Sequence, residues 1–190
     1  MPIGGDEAIM MKKSKKNDPR KENFYRLVDA AFWMEWQSTD SCLLIENLEE
    51  TIAFGKILVN KIPECKLVLL EGPLGAGKTS LVKGIAIGLE IYEPITSPTF
   101  PLAQHYYSGR IPLFHLDLYR LENHIEANDL FLQAEEEARE VKALMVVEWP
   151  ERLNLSVTDA LRIKMEFCSN GRLAHSYLPA TSTKNEITSS

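Results

Sequence analysis

The sequence predicts an α/β fold with a mostly parallel central sheet, flanked by helices and extended by antiparallel hairpins. Residues 66–71 (KLVLLE) and 143–149 (ALMVVEW) are apolar runs typical of strands buried on both faces of a parallel sheet. The first run leads into a glycine-rich loop and then a helical apolar pattern at Leu81, Ile85 and Leu89. Turn residues divide other β-prone segments into pairs of neighbouring strands.

The elements before and after this centre follow from local patterns. Residues 41–46 predict a short strand, and Asn47 stands three residues before Glu50, the spacing of a helix capping box. The helix that begins there is expected to reach about Lys61, just before Pro63. The later expected elements are a proline-bearing loop at 93–101, a hairpin of 102–107 with 111–119, a Glu-rich helix at 122–140 and a hairpin of 161–167 with 172–177.

Residues 72–79, GPLGAGKT, match the phosphate-loop pattern and make the predicted fold P-loop NTPase-like. Gly72, Gly75 and Gly77 permit backbone conformations that turn successive N–H groups towards a phosphate. The N-terminus of the following helix adds partial positive charge. We expect Lys78 to bind the β- and γ-phosphates and Thr79 to offer its hydroxyl to Mg²⁺.

Two acids are placed to complete such a site. Asp117 and Glu148 each follow an apolar stretch, and the carboxyl ends of parallel strands meet beside a phosphate loop. Carboxylates there bind Mg²⁺ or position water. The sequence does not divide these roles between the two acids.

Three further features near these acids have two interpretations each. A hydroxyl in Ser97-Pro98-Thr99-Phe100 either senses the γ-phosphate, as switch loops do, or caps nearby backbone. His115 shares a strand face with Asp117, as a supporting residue of the site or a structural histidine. Trp149 is either an aromatic wall beside a nucleotide or a core residue, and we favour the core.

Bulk composition limits the class of protein. The 190 residues are 45% hydrophobic and 25% charged, with a net charge of −6. This negative charge argues against a protein that binds nucleic acid strongly without a partner. Cys42, Cys65 and Cys168 lack metal-ligand spacing and are interpreted as reduced thiols. No apolar run has the length of a membrane span, and we expect a cytoplasmic protein.

Taken together, GPLGAGKT, GIAIGL, SPTF, HLDLYRL and VVEWPER, in this order, resemble the bacterial TsaE (YjeE) family over about residues 47–172. Its members are small ATPases required for the threonylcarbamoyladenosine (t6A) modification of tRNA. The resemblance implies slow hydrolysis of ATP with Mg²⁺ and two partners, TsaB and the threonylcarbamoyl transferase TsaD. The ATP cycle would reset their complex between turnovers, and tRNA would be met only through that complex.

The resemblance also implies roles for single residues. The phosphates would be held by Gly75, Ala76, Gly77, Lys78, Thr79 and Ser80, continuing from Gly72. Thr79 and Glu148 would bind Mg²⁺, while Lys78, the Walker-B-like Asp117 and the switch-like Thr99 would act in catalysis. Glu151 and Arg172 would border the nucleotide. The chain departs from the family at Pro73, where Asp is usual, and at Phe131, where a turn glycine is usual.

These features suggest a division into residues 37–178 as the P-loop ATPase domain, 1–36 as an N-terminal extension and 179–190 as a loose tail. The extension is expected to be flexible or to form one short helix at 24–36.

The main alternative is a P-loop small-molecule or nucleotide kinase. It is disfavoured because Arg110, Arg120 and Arg139 are scattered rather than grouped in a lid. A GTPase is disfavoured because no Asn-Lys-x-Asp follows an apolar strand, and a pure nucleotide-binding module is the non-enzymatic alternative.

Overall fold

The structure is a computed structural model that describes residues 42–177. The expected helix at 24–36 and the expected tail at 179–190 lie outside these residues. The strands are β1 (Cys42–Ile45), β2 (Leu67–Glu71), β3 (Ala103–Tyr106), β4 (Leu113–Asp117), β5 (Leu144–Glu148), β6 (Leu161–Cys168) and β7 (Gly171–Tyr177). The helices are α1 (Leu48–Lys61), α2 (Lys78–Gly88) and α3 (His124–Glu140), with a 3₁₀ turn at Pro150–Arg152.

The strands form one sheet in the order β1-β7-β6-β2-β5-β4-β3. The four central strands, β6, β2, β5 and β4, are parallel, whereas β3, β7 and β1 pair antiparallel with their neighbours. Both expected hairpins, β3–β4 and β6–β7, are present. The predicted fold class is therefore confirmed.

The strand register places the ends of the central strands side by side. Glu148 of β5 lies opposite Leu70 of β2 on one side and opposite Asp117 of β4 on the other. Since β2 runs directly into the phosphate loop, both acids end beside that loop.

Helices cover both faces of the sheet. On one face α1 and α2 pack against inward side chains such as Leu70, Val146 and Ile163. On the other face α3 covers Leu69, Leu116 and Val147. Alternate residues of β2, β4 and β5 thus enter opposite halves of the core, which explains why these strands are buried along nearly their whole length. In β6 only Leu161, Ile163 and Met165 enter the core, and the residues between them are charged.

The capping prediction for α1 is confirmed. The Asn47 side chain accepts from the Glu50 backbone N–H at 2.9 Å, and the Glu50 carboxylate accepts from the Glu46 N–H at 2.9 Å. The helix ends at Lys61, two residues before Pro63.

The departure at Phe131 coincides with a continuous helix. Phe131 is 2% exposed and lies in the interior of α3, where it packs into the sheet face that this helix covers. Within residues 42–177, no helix combines the length and the apolar character needed to cross a bilayer.

Candidate nucleotide site

The phosphate loop follows β2 and is shaped by three glycines with positive φ. Gly72, Gly75 and Gly77 have φ of 131°, 78° and 103°. A Cβ on Gly72 would lie 2.1 Å from the Met165 carbonyl oxygen of β6, so this glycine also permits close contact between loop and sheet. Gly77 is the residue before α2, and the loop amides therefore lead directly into a helix N-terminus.

Lys78 lies inside the site and is only 4% exposed. Its Nζ donates to the carbonyl oxygens of Gly72 at 2.7 Å and Pro73 at 3.0 Å, and it lies 3.9 Å from the centre of the Trp149 ring. Burial lowers the pKa of Lys78 below its ordinary 10.5, and nearby carboxylates partly oppose this shift. These carboxylates belong to Glu148, Glu151 and Asp117.

The two acids are buried and each is held by hydroxyl groups. Glu148 Oε1 accepts from Thr79 Oγ1 at 2.8 Å and lies 2.9 Å from Nε2 of His115. Asp117 Oδ2 accepts from Ser97 Oγ and Thr99 Oγ1, both at 2.7 Å. The loop before β3 is thereby tied to the acid at the end of β4.

These groups surround a cavity of about 310 Å³. Its lining comprises Leu74, Gly75, Gly77, Lys78, Thr79, Ser80, Ser97, Thr99, Asp117, Tyr119, Glu148, Trp149 and Arg172. A larger groove of about 730 Å³ lies between α3 and residues 155–159. It includes neither the phosphate loop nor the acid pair, so the smaller cavity is the candidate nucleotide site.

The donor set fits Mg²⁺. Within residues 42–177 no cluster of three or more His, Cys, Asp or Glu side chains forms an all-protein metal cage. Mg²⁺ bound beside a nucleotide needs only one or two carboxylates, with phosphate oxygens and water completing its shell. Thr79 and Glu148 supply such oxygen ligands in one cavity, and Asp117 lines the same cavity.

Most of the residues singled out in the sequence lie together. Gly75, Gly77, Lys78, Thr79, Ser80, Thr99, Asp117, Glu148 and Arg172 all line the cavity. Gly72 and Ala76 lie behind the lining, Gly72 against β6 and Ala76 in the core. Glu151 is exposed on the 3₁₀ turn and does not line the cavity, but its negative charge raises the pKa of Lys78.

Arg172 enters from β7, two strands away from β2. It packs against Gly77, where a Cβ would meet its Nε at 3.5 Å. Its Nε is buried and has no hydrogen-bond partner within the described residues. An unpaired guanidinium nitrogen beside the loop is suited to a phosphate oxygen.

Tyr119 was not expected in the lining, whereas Ser97 and Trp149 were expected near the nucleotide under only one of their two interpretations. Trp149 packs partly against the core, but its φ of 61° turns the ring over Lys78, so the expectation of a core residue was incomplete. The Tyr119 ring packs against that ring at a tilt of 42°, with 4.8 Å between the ring centroids. Tyr119 and Trp149 follow strand ends, and no periodic sequence pattern identifies residues at such positions. For Ser97, the hydroxyl-rich SPTF segment was a usable signal.

A glycine loop between a parallel strand and a helix, beside acids on adjacent strands, defines a P-loop nucleotide-binding protein. A sequence model of the family described as threonylcarbamoyl adenosine biosynthesis protein TsaE matches residues 45–174. The chain belongs to this family, and the resemblance found in the sequence is confirmed.

Known relatives agree with this assignment. The chain is 37% identical over 146 residues to the tRNA threonylcarbamoyladenosine biosynthesis protein TsaE of Nostoc, covering 76% of this chain and 90% of the relative. The TsaE of Synechocystis is 43% identical over 110 residues, covering 57% and 69%. The crystal structure of Bacillus subtilis YdiB superposes with a TM-score of 0.52 at 26% identity, covering 73% of this chain and 84% of that one.

Proposed function

We propose that this protein is a Mg²⁺-dependent, slowly hydrolysing ATPase that serves the t6A modification of tRNA together with TsaB-like and TsaD-like partners. One observation supports the proposed ATPase activity most strongly. A single cavity beside the phosphate loop is lined by Lys78, Thr79, Asp117 and Glu148. The names of the relatives support the pathway.

Different residues of the site bind the phosphates, bind Mg²⁺ and orient water. Loop amides and Lys78 bind the phosphates, and the lysine exchanges its two carbonyl partners for phosphate oxygens of higher charge. Thr79 and Glu148 hold Mg²⁺, which when bound neutralises charge that develops on the phosphates. Asp117 orients the attacking water and, through Thr99, senses the γ-phosphate.

Action on tRNA is indirect. A net charge of −6 does not favour strong contact with a polyanion, so partner proteins provide the tRNA surface. The cysteines within the structure, Cys42, Cys65 and Cys168, are free thiols, which agrees with a cytoplasmic location.

The test is reconstitution. The protein is mixed with its TsaB-like and TsaD-like partners, with and without ATP, and complex formation and repeated tRNA modification are measured. We expect an ATP-dependent complex and multiple turnovers that need ATP hydrolysis. Failure to form any complex, or equal modification without this protein, would reject the proposal.

A parallel assay separates the ATPase from a nucleotide kinase. ATP is incubated with nucleoside monophosphates and the protein, and we expect phosphate release to water only. Transfer to a monophosphate would favour the kinase, although the described lining contains one arginine, Arg172, rather than the grouped arginines of a kinase lid.

A further inference from the structure

We infer that His115 is a positioning residue that orients the Glu148 carboxylate for Mg²⁺; this rests on the function proposed above. His115 lies on β4 two residues before Asp117, and both side chains point to the α2 side of the sheet. It does not line the cavity, so it acts on the site through Glu148.

The contact with Glu148 defines which oxygen is left for the cation. With the Glu148 carboxylate as acceptor, the histidine tautomer that satisfies this contact has its proton on Nε2, 2.9 Å from Oε1. The same oxygen, Oε1, accepts from Thr79. No hydrogen bond within residues 42–177 reaches Oε2. Two donors thus hold Oε1 and leave Oε2 for a ligand in the cavity.

The burial of His115 argues against a purely structural role. The side chain is 0% exposed, and its second nitrogen, Nδ1, has no hydrogen-bond partner within the described part of the chain. A buried unpaired nitrogen lowers stability, and an apolar residue on this buried strand would avoid that cost. An apolar residue could not form the hydrogen bond to Glu148, so this bond accounts for a histidine at this position.

The test compares two amides that differ in reach. The Gln side-chain nitrogen approximates Nε2 of histidine, whereas that of Asn approximates Nδ1 and stops short of Glu148. Binding of the non-hydrolysable analogue AMP-PNP is measured by calorimetry with and without Mg²⁺. The Mg²⁺ gain is the ratio of AMP-PNP affinity with Mg²⁺ to the affinity without it. We expect this gain to be about tenfold smaller for His115→Asn than for the wild type, and nearly unchanged for His115→Gln. Affinity without Mg²⁺ should be unchanged in both.

Phe114→Leu is the matched control, because Phe114 is buried on the opposite face of the same strand. It should lower the melting temperature and leave the Mg²⁺ gain intact. If His115→Asn does not fold, His115→Leu replaces it. A wild-type Mg²⁺ gain in the Asn or Leu variant, or equal losses in Asn and Gln, would overturn the inference. A wild-type protein with no Mg²⁺ gain would instead reject the proposed function.

Discussion

Lys78 is a full positive charge held by neutral partners. Two carbonyl oxygens and an indole ring contact the ammonium, while the carboxylates of the site are bonded to hydroxyl groups or to His115. Because charge-assisted bonds to phosphate are stronger than bonds to carbonyls, an incoming triphosphate displaces these partners readily. The site is therefore built to exchange ligands at this residue.

The lowered pKa of Lys78 predicts how ATP affinity depends on pH. Burial favours the neutral amine, so in the free protein Lys78 loses its proton at a lower pH than an ordinary lysine, whereas bound phosphate keeps it protonated. Affinity is then highest below the pKa of the free protein and falls as pH rises through it, by at most about tenfold per unit for one proton. Calorimetry from neutral to alkaline pH measures this fall.

Lys78→Arg is the control, because its guanidinium stays charged throughout that range. Its affinity should change less with pH. Equal pH slopes for lysine and arginine would show that another group controls binding.

The metal ligands should separate hydrolysis from binding. We expect Thr79→Ala and Glu148→Ala each to lower Mg²⁺-dependent turnover by about tenfold or more, because metal stabilisation of phosphate charge acts mainly in the transition state. Nucleotide affinity measured without Mg²⁺ should change far less, since the loop amides and Lys78 remain. Single-turnover kinetics and equilibrium binding provide the two numbers, and equal losses in both would argue against metal roles.

At the scale of elements, α1 and α2 approach through glycines. A Cβ on Gly84 would lie 2.2 Å from the Ile52 carbonyl oxygen of α1, and one on Gly55 would lie 2.4 Å from the Leu81 carbonyl oxygen of α2. Since backbone atoms cannot move aside alone, a side chain here would push the helices apart. This contact supports the helix that begins at the phosphate loop.

Gly84→Ala should therefore destabilise the fold by about 1–3 kcal/mol, the usual effect of overpacking. Urea unfolding monitored by circular dichroism measures the change. Lys83→Ala, at the adjacent exposed position, should stay within about 0.5 kcal/mol of the wild type. If Gly84→Ala unfolded like the wild type, the two helices would not be in the close contact described.

The elements were largely predictable because their signals are local. The Asn47 cap, the apolar runs of β2 and β5, and the hairpin of β6 with β7 each follow from a few neighbouring residues. Strand order was not predictable, because β6 inserts between β2 and β7 through contacts that no local pattern encodes.

The part of the site that lies in sequence motifs was predictable. The loop residues and both acids follow from strand ends, which any parallel sheet brings together. The placement of Trp149 depends on one positive φ, and the bond from His115 to Glu148 joins residues 33 positions apart. Such contacts depend on register and backbone conformation, which the sequence does not display.

For the whole molecule, the net charge of −6 predicts weak contact with tRNA. The isolated protein should give no mobility shift with tRNA at physiological salt, whereas the complex with TsaB-like and TsaD-like partners should. Tight, salt-sensitive binding by the isolated protein would contradict an indirect role.

The central claim is that one cavity at the carboxyl ends of β2, β4 and β5 holds a triphosphate. A crystal structure with Mg²⁺ and AMP-PNP tests it most directly. We predict phosphate oxygens against the amides of residues 75–80 and Lys78, with Mg²⁺ bound by Thr79 and Glu148. A nucleotide bound elsewhere, or Asp117 and Glu148 both turned away from the phosphates, would contradict the account.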